Sequence, residues 1–171
     1  PSEALDGLLA GLEEEGLDAL PSYIITAVKD CQVFFVENDR TARRFFTRLW
    51  KEMVIDDYEW HTIHKAEEQV QNIFKERLKQ GKTIGIISEA GCPGVADPGQ
   101  LLVAAAQEMN MEIRPLAGPS SILLALMASG LNGQSFVFHG YLPRESPERK
   151  KKLQQLEARN RAETATLRAE G

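Results

Sequence analysis

Cysteine is scarce in this chain of 171 residues, which has only Cys31 and Cys92. They lie far apart, with no CxxC and no Cys/His spacing. That pattern argues against a disulfide scaffold and a zinc site, and points to a reducing cytoplasm. No apolar run approaches the roughly 18–20 residues that a membrane-spanning helix needs. There is no signal-peptide pattern of basic start, apolar middle and small-residue cleavage site. The phosphate-binding fingerprints GxGxxG and GxxxxGK[ST] are missing too, so ordinary dinucleotide and P-loop readings lack support. No cluster of His, Asp and Glu suggests a metal, and no internal repeat is visible.

What is present reads as a globular domain, with or without a short appendage. Hydrophobic residues make up 43% and charged residues 26%, the balance of a chain that builds a core. The net charge of −5 is unevenly spread. The first twenty residues carry acids and no Lys or Arg, so the remainder is close to neutral. The stretch 144–161 is rich in bases, including Arg149, Lys150, Lys151 and Lys152. Total charge opposes indiscriminate nucleic-acid binding, while a local basic surface is available.

Hydrophobic periodicity predicts alternating strands and helices. Helices are expected at 4–15 and 23–30, the second capped by Ser22, and a buried strand at 32–37. Ala42, Phe45, Phe46, Leu49 and Met53 recur at helical spacing over 41–52. A short strand at 58–63 precedes a helix at 65–80, whose inner stripe is Val70, Ile73, Phe74 and Leu78. Then come strand 83–88, helix 98–109, strand 111–116, helix 121–129, strand 135–139 and a charged helix at 145–159. The implied fold class is α/β, a mostly parallel sheet with helices on both faces. The expected division is an acidic segment at 1–20, an α/β domain at 21–143, and a charged helix at 144–171 that begins a further domain.

Two loops stand at predicted strand ends. The first, Ser88–Gly99, contains Gly91, Gly94 and Gly99, with Asp97 placed to cap the next helix. The second is Gly118-Pro119-Ser120-Ser121, where free amides at a helix start suit a carboxylate or a ribose hydroxyl. Either could be simply a tight turn. Two such loops on successive strands favour a shared cleft at the carboxyl edge of the sheet.

Several ordered motifs carry a resemblance. Ile87-Ser88-Glu89-Ala90-Gly91-Cys92-Pro93, Ala96-Asp97-Pro98-Gly99, Pro115-Leu116-Ala117-Gly118-Pro119-Ser120-Ser121 and Gly140-Tyr141-Leu142-Pro143 resemble the tetrapyrrole methylase family of class III S-adenosylmethionine-dependent methyltransferases. Glu37-Asn38-Asp39-Arg40 is similar to the E-D-x-R that the family's ribosomal branch carries after an early strand. The resemblance spans roughly residues 21–157. It implies a two-domain enzyme, usually a homodimer, with S-adenosylmethionine between its lobes. For the ribosomal branch it implies methyl transfer to the ribose 2′-oxygen of a cytidine in 16S rRNA of the small ribosomal subunit.

By position, the resemblance assigns Ser88, Glu89, Ala90 and Gly91 to the cofactor cleft, shaped by Pro93 and the Asp97-Pro98-Gly99 turn. Gly118, Pro119, Ser120 and Ser121 form the opposite wall, and Glu37 to Arg40 sit at the mouth. Departures from the pattern are Glu89 and Asn38 where the family has Asp, and Cys92 where it has Thr. The family's first strand and second domain have no counterpart here, so the chain is expected to be part of a longer enzyme. Two alternatives stay open: a tetrapyrrole-type or other small-molecule or protein methyltransferase, and a non-catalytic S-adenosylmethionine-binding module.

A ribose hydroxyl is a poor nucleophile, so a carboxylate near it would help. Glu37 and Asp39 are the candidates, each with an alternative role in pairing with Arg40 or capping helix 41–52. Arg40, Arg44 and Arg48 share a helical face and suit rRNA phosphates, as do Lys150 and Lys151, unless these are only solvated surfaces. His61, His64, His139, Cys92, Trp50 and Trp60 are expected in structural roles. No metal and no membrane are expected as partners.

Overall fold

A computed structural model describes residues 21–63, 67–89, 91–97 and 99–170. The helix expected at 4–15, the acidic segment, His64, Ala90 and Pro98 lie outside these. The chain divides into two units, one ending at Gly133 and the other beginning at Gln134.

The first unit is built around β1 (Val33–Val36), whose four residues are all buried. It pairs in parallel with β2 (Glu59–Thr62) on one side and β3 (Ile84–Ile87) on the other, giving the order β2-β1-β3. Val33 stands opposite Glu59 and Ile84, and Val36 opposite Thr62 and Ile87. A central parallel strand is covered on both faces, which explains a sequence without polar alternation at Val33-Phe34-Phe35-Val36.

Alternate side chains of β1 feed two cores. Val33 and Phe35 pack with Val70 and Phe74 of α3 (Glu67–Lys79) and with Leu102, Ala105 and Ala106 of α4 (Gly99–Glu108). Phe34 and Val36 pack with Val28 of α1 (Tyr23–Val28) and with Ala42 and Phe46 of α2 (Asp39–Leu49). The α/β fold with helices on both faces is therefore observed. The Phe34 ring is sealed by Phe46, Tyr58 and Trp60, at centroid distances of 5.0, 5.5 and 4.8 Å. A Cβ added to Gly85 on the neighbouring strand would stand 2.6 Å from that ring. Trp60 donates its indole N–H to Ile55 O at 3.0 Å, and His61 stacks on Phe35, so both serve structure.

Caps set the helix starts. Asn38 Oδ1 accepts from Thr41 N at 3.2 Å and begins α2. Ser22, expected to cap α1, is helical itself and makes no such bond. α5 (Ser121–Ser129) ends at Gly130, which has φ 67°.

Two expected strands are not ladders. Residues 111–116 run irregularly, with Ile113 and Leu116 exposed. Pro115 supplies no N–H, and Arg114 pairs with its own neighbour Glu112 at 2.8 Å. Residues 135–139 are exposed, and the described part of their unit offers no strand to pair with. His139 is accordingly exposed rather than a core histidine. In the second unit, α6 (Ser146–Glu170) runs past the expected end at 159, because the Ala- and Glu-rich tail favours helix.

Candidate functional site

In parallel sheets the carboxyl ends of neighbouring strands lie at one edge, and here the Val36–Ile87 register sets the next residues, Glu37 and Ser88, side by side. Ser88 Oγ donates to Glu37 Oε1 at 3.3 Å, and the amide of Glu89 donates to Glu37 Oε2 at 3.4 Å. The loop that follows folds back on its own carboxylate. Asp97 Oδ1 accepts from Gly94 N at 3.0 Å and from Gly99 N at 2.7 Å, the second bond serving the start of α4.

The loop's small residues are geometric requirements at two points. Gly94 has φ 81°, a conformation that side chains disfavour. A Cβ on Gly99 would stand 2.7 Å from Asp97 Oδ1 and 3.1 Å from Ile86 Cγ2, so glycine there lets helix, strand and carboxylate meet. Ala96 adopts φ 55° without being glycine.

The Glu37 and Asp97 carboxyls influence each other's protonation. Burial pushes the Glu37 carboxyl above the ordinary glutamate value, and neighbouring Asp97 adds to the rise. Burial also pushes Asp97 upward, but hydrogen bonds from Ser88, Glu37 and the amides of Gly94 and Gly99 outweigh it and hold Asp97 low. Asp97 Oδ2 is shut from solvent, and among the described residues no donor reaches it. Sequence reasoning assigned Asp97 to cap α4 and missed its link to Glu37. No local spacing reveals a pair so distant in the chain.

The second loop is held differently. The amide of Ala117 donates to the Tyr23 hydroxyl at 2.9 Å, tying the approach to Gly118–Ser121 back to α1. Ser120 precedes α5 without a side-chain cap bond, although its carbonyl accepts from Leu124 N at 2.9 Å. Gly118 is half-buried, and the space a Cβ would take there is open, as it is at Gly91. Pro93, Pro119 and Ser121 are exposed.

At the start of α2, Asp39 is engaged by Arg43 at 2.8 Å rather than by Arg40. Arg43 also lies over the Trp60 ring. Arg40 and Arg44 lie exposed on α2, and Lys150 and Lys151 are exposed on α6 in the second unit. In that unit Gly140 has φ 76° and Tyr141 is 84% exposed. Cys92 is half-buried in the first loop. Among the described residues no His, Cys, Asp and Glu group is arranged to hold a metal ion. Among them also, no helix is long and apolar enough to cross a membrane.

Comparison with known proteins bears on this site. A sequence model of the family described as Tetrapyrrole (Corrin/Porphyrin) Methylases matches residues 17–167. Among curated relatives, "Ribosomal RNA small subunit methyltransferase I" of Vibrio cholerae is 32% identical over 147 residues, covering 86% of this chain and 47% of the relative. The protein of that name from Mesorhizobium japonicum is 34% identical, covering 89% of this chain and 48% of its own length. The one from Synechocystis is 42% identical over 93 residues, covering 54% and 33%. The chain spans less than half the length of these relatives. With the family model matching most of its residues, over the region that holds both loops, the chain belongs to the tetrapyrrole methylase family.

Proposed function

We propose that this chain is part of an S-adenosylmethionine-dependent methyltransferase that modifies the ribose 2′-oxygen of a cytidine in 16S rRNA. The observation that carries the reading is the loop after β3, set by Glu37 and Asp97 at the carboxyl edge of a parallel sheet, where such folds bind ligands. Family membership and the relatives named for small-subunit rRNA methylation support it.

The residues fit the cofactor on two counts. The open space beside Gly91 and Gly118 leaves room for a ligand against backbone at both loops. The ligand's sulfonium and ammonium groups are cationic, and the first loop carries the exposed Glu89. In this reading Ser88, Glu89, Ala90, Gly91 and Pro93 hold one side of S-adenosylmethionine, and Gly118, Pro119, Ser120 and Ser121 the other. When bound, that group supplies a methyl already activated for displacement. The protein's work is then to orient the acceptor and exclude water around it. Glu37, just past β1, and Asp39, at the start of α2, are the candidates to accept a proton from the ribose hydroxyl. Arg40, Arg44, Lys150 and Lys151 engage RNA phosphates. Residues 21–143 make up the cofactor domain, and 144–171 leads into a further domain. A homodimer in the cytoplasm, acting on 16S rRNA or the small subunit, completes the proposal.

Two measurements test it. Calorimetry of the full gene product with S-adenosylmethionine is expected to show binding, and its absence would refute an enzymatic role. Mapping 2′-O-methyl groups on 16S rRNA from a deletion strain is expected to show one cytidine unmodified. Binding with an unchanged methylation map would move the activity to another acceptor.

A further inference from the structure

We propose that Tyr23 is a positioning residue for S-adenosylmethionine binding: its hydroxyl holds Ala117, and through it the Gly118–Ser121 wall, against α1. That role rests on the function proposed above, whereas the tether itself does not.

The second loop has little else to hold it. Among the described residues 111–116 pair with no strand, so no ladder carries the chain to Gly118 in register with β3. Met111 is fastened to α4, its amide donating to Ala106 O at 3.0 Å. Beyond it, Arg114 and Glu112 pair with each other, and Leu116 lies exposed. Pro115 and Pro119 have no N–H to give, and Ser120 makes no side-chain cap bond. Among the described residues, the hydrogen bond that joins 112–120 to another element runs from the Ala117 amide to the Tyr23 hydroxyl. It is 2.9 Å long and spans 94 positions of the chain.

α1 is a firm post for that bond. Val28 is buried, and Ile24 packs against the same cluster as Phe34 and Phe46. The turn after α1 is closed by Cys31 N donating to Val28 O at 3.1 Å, and Cys31 is buried as well. Tyr23 opens this helix and is 46% exposed, so its hydroxyl meets the loop outside the core. A second link is electrostatic. Glu112 is the main partner of Arg114, and Asp30, two residues past α1, adds to its hold. The approach to the loop is thus coupled to both ends of α1.

Ala117 directly precedes Gly118, where an added Cβ would meet nothing within 4 Å. The tether therefore sets where that open space lies relative to the core. Without it the placed loop is one of several arrangements, and apparent affinity falls with the population of the competent one. One hydrogen bond changes such a population by about two- to tenfold.

The test uses the full gene product. Tyr23→Phe keeps the ring and deletes only the acceptor, so the fold is expected to survive. Without ligand, hydrogen exchange by NMR is expected to show the Ala117 amide less protected in Tyr23→Phe, with Phe34 in the core unchanged. Calorimetry with S-adenosylmethionine is expected to give a Kd about two- to tenfold higher in the variant. Replacing the Ala117 amide by an ester deletes the donor instead and is expected to cause the same loss. Combined with Tyr23→Phe it is expected to add nothing, because both remove one bond. Equal Ala117 exchange in parent and variant overturns the tether. A parent and a variant that bind equally well overturn the positioning role alone, as do additive losses in the combined form. A parent that does not bind overturns the proposed function and the positioning role with it, while the exchange comparison still decides the tether.

Discussion

Arg77 grips Glu59 from eighteen residues away, its Nε lying 2.9 and 2.8 Å from the two carboxylate oxygens and its Nη2 2.8 Å from Oε1. The contact pins α3 to the start of β2, and His61 Nε2 meets the same Oε1 at 2.6 Å. Hydrogen bonding from Arg77 is the main reason the Glu59 carboxyl is pulled down to about 2.

An acid-dependent loss of stability follows. The folded protein binds the Glu59 proton more weakly than the unfolded chain does, so the contribution is complete above about pH 4.5 and lost as pH falls toward about 2. The pair is partly exposed, so its effect is modest. Thermal melts of the parent and Glu59→Gln are expected to differ at pH 7 and to draw together as pH falls through about 2. A gap that stays constant with pH would count against this origin.

Gly85→Ala should destabilise the fold without touching any polar group. Its new methyl would meet the Phe34 ring, which is fully buried among other aromatic rings. Overpacking of this kind costs about 1–3 kcal/mol. Urea denaturation reads it as a lower midpoint at unchanged slope, and an unchanged midpoint would show that the ring yields.

Asn38 should matter as a cap and not as an amide. Asn38→Ala removes the acceptor for Thr41 N and is expected to cost about 1 kcal/mol. Asn38→Asp restores the residue usual in the family motif, keeps the acceptor and suits the positive helix end. Its midpoint is expected to match or exceed that of the parent. Equal losses in both variants would assign the effect to something other than capping.

Ser120→Trp should separate binding from folding. Ser120 makes no side-chain cap bond, so its replacement leaves α5 able to start. An indole beside the open space at Gly118 would fill the proposed cofactor wall. Circular dichroism is expected to be unchanged while calorimetric binding of S-adenosylmethionine disappears. Retained affinity would place the cofactor elsewhere.

The central elements were legible because their signals are local. Val33-Phe34-Phe35-Val36 has no polar residue to place at a surface, and the stripe Val70, Phe74 on α3 repeats at helical spacing. Residues 111–116 misled because alternation reports a preference for extended chain and says nothing about a neighbour to pair with. The loop glycines and Asp97's capping role could also be read locally. The electrostatic influence between Glu37 and Asp97 and the Tyr23 tether on Ala117 could not, since each joins residues brought together only by the sheet and its crossovers.

β2 and β3 each pair with β1 and not with each other, and this has a kinetic consequence. The sheet cannot grow from an edge, because either edge strand needs β1 in place first. Joining Val33 to Glu59 closes a shorter loop than joining Val33 to Ile84, and the entropy of closure rises with loop length. Doubling the loop costs only about 0.6 kcal/mol, so closure favours the β1–β2 pair slightly. The segment after β3, with its glycines and its carboxylate, hangs on the costlier of the two pairings.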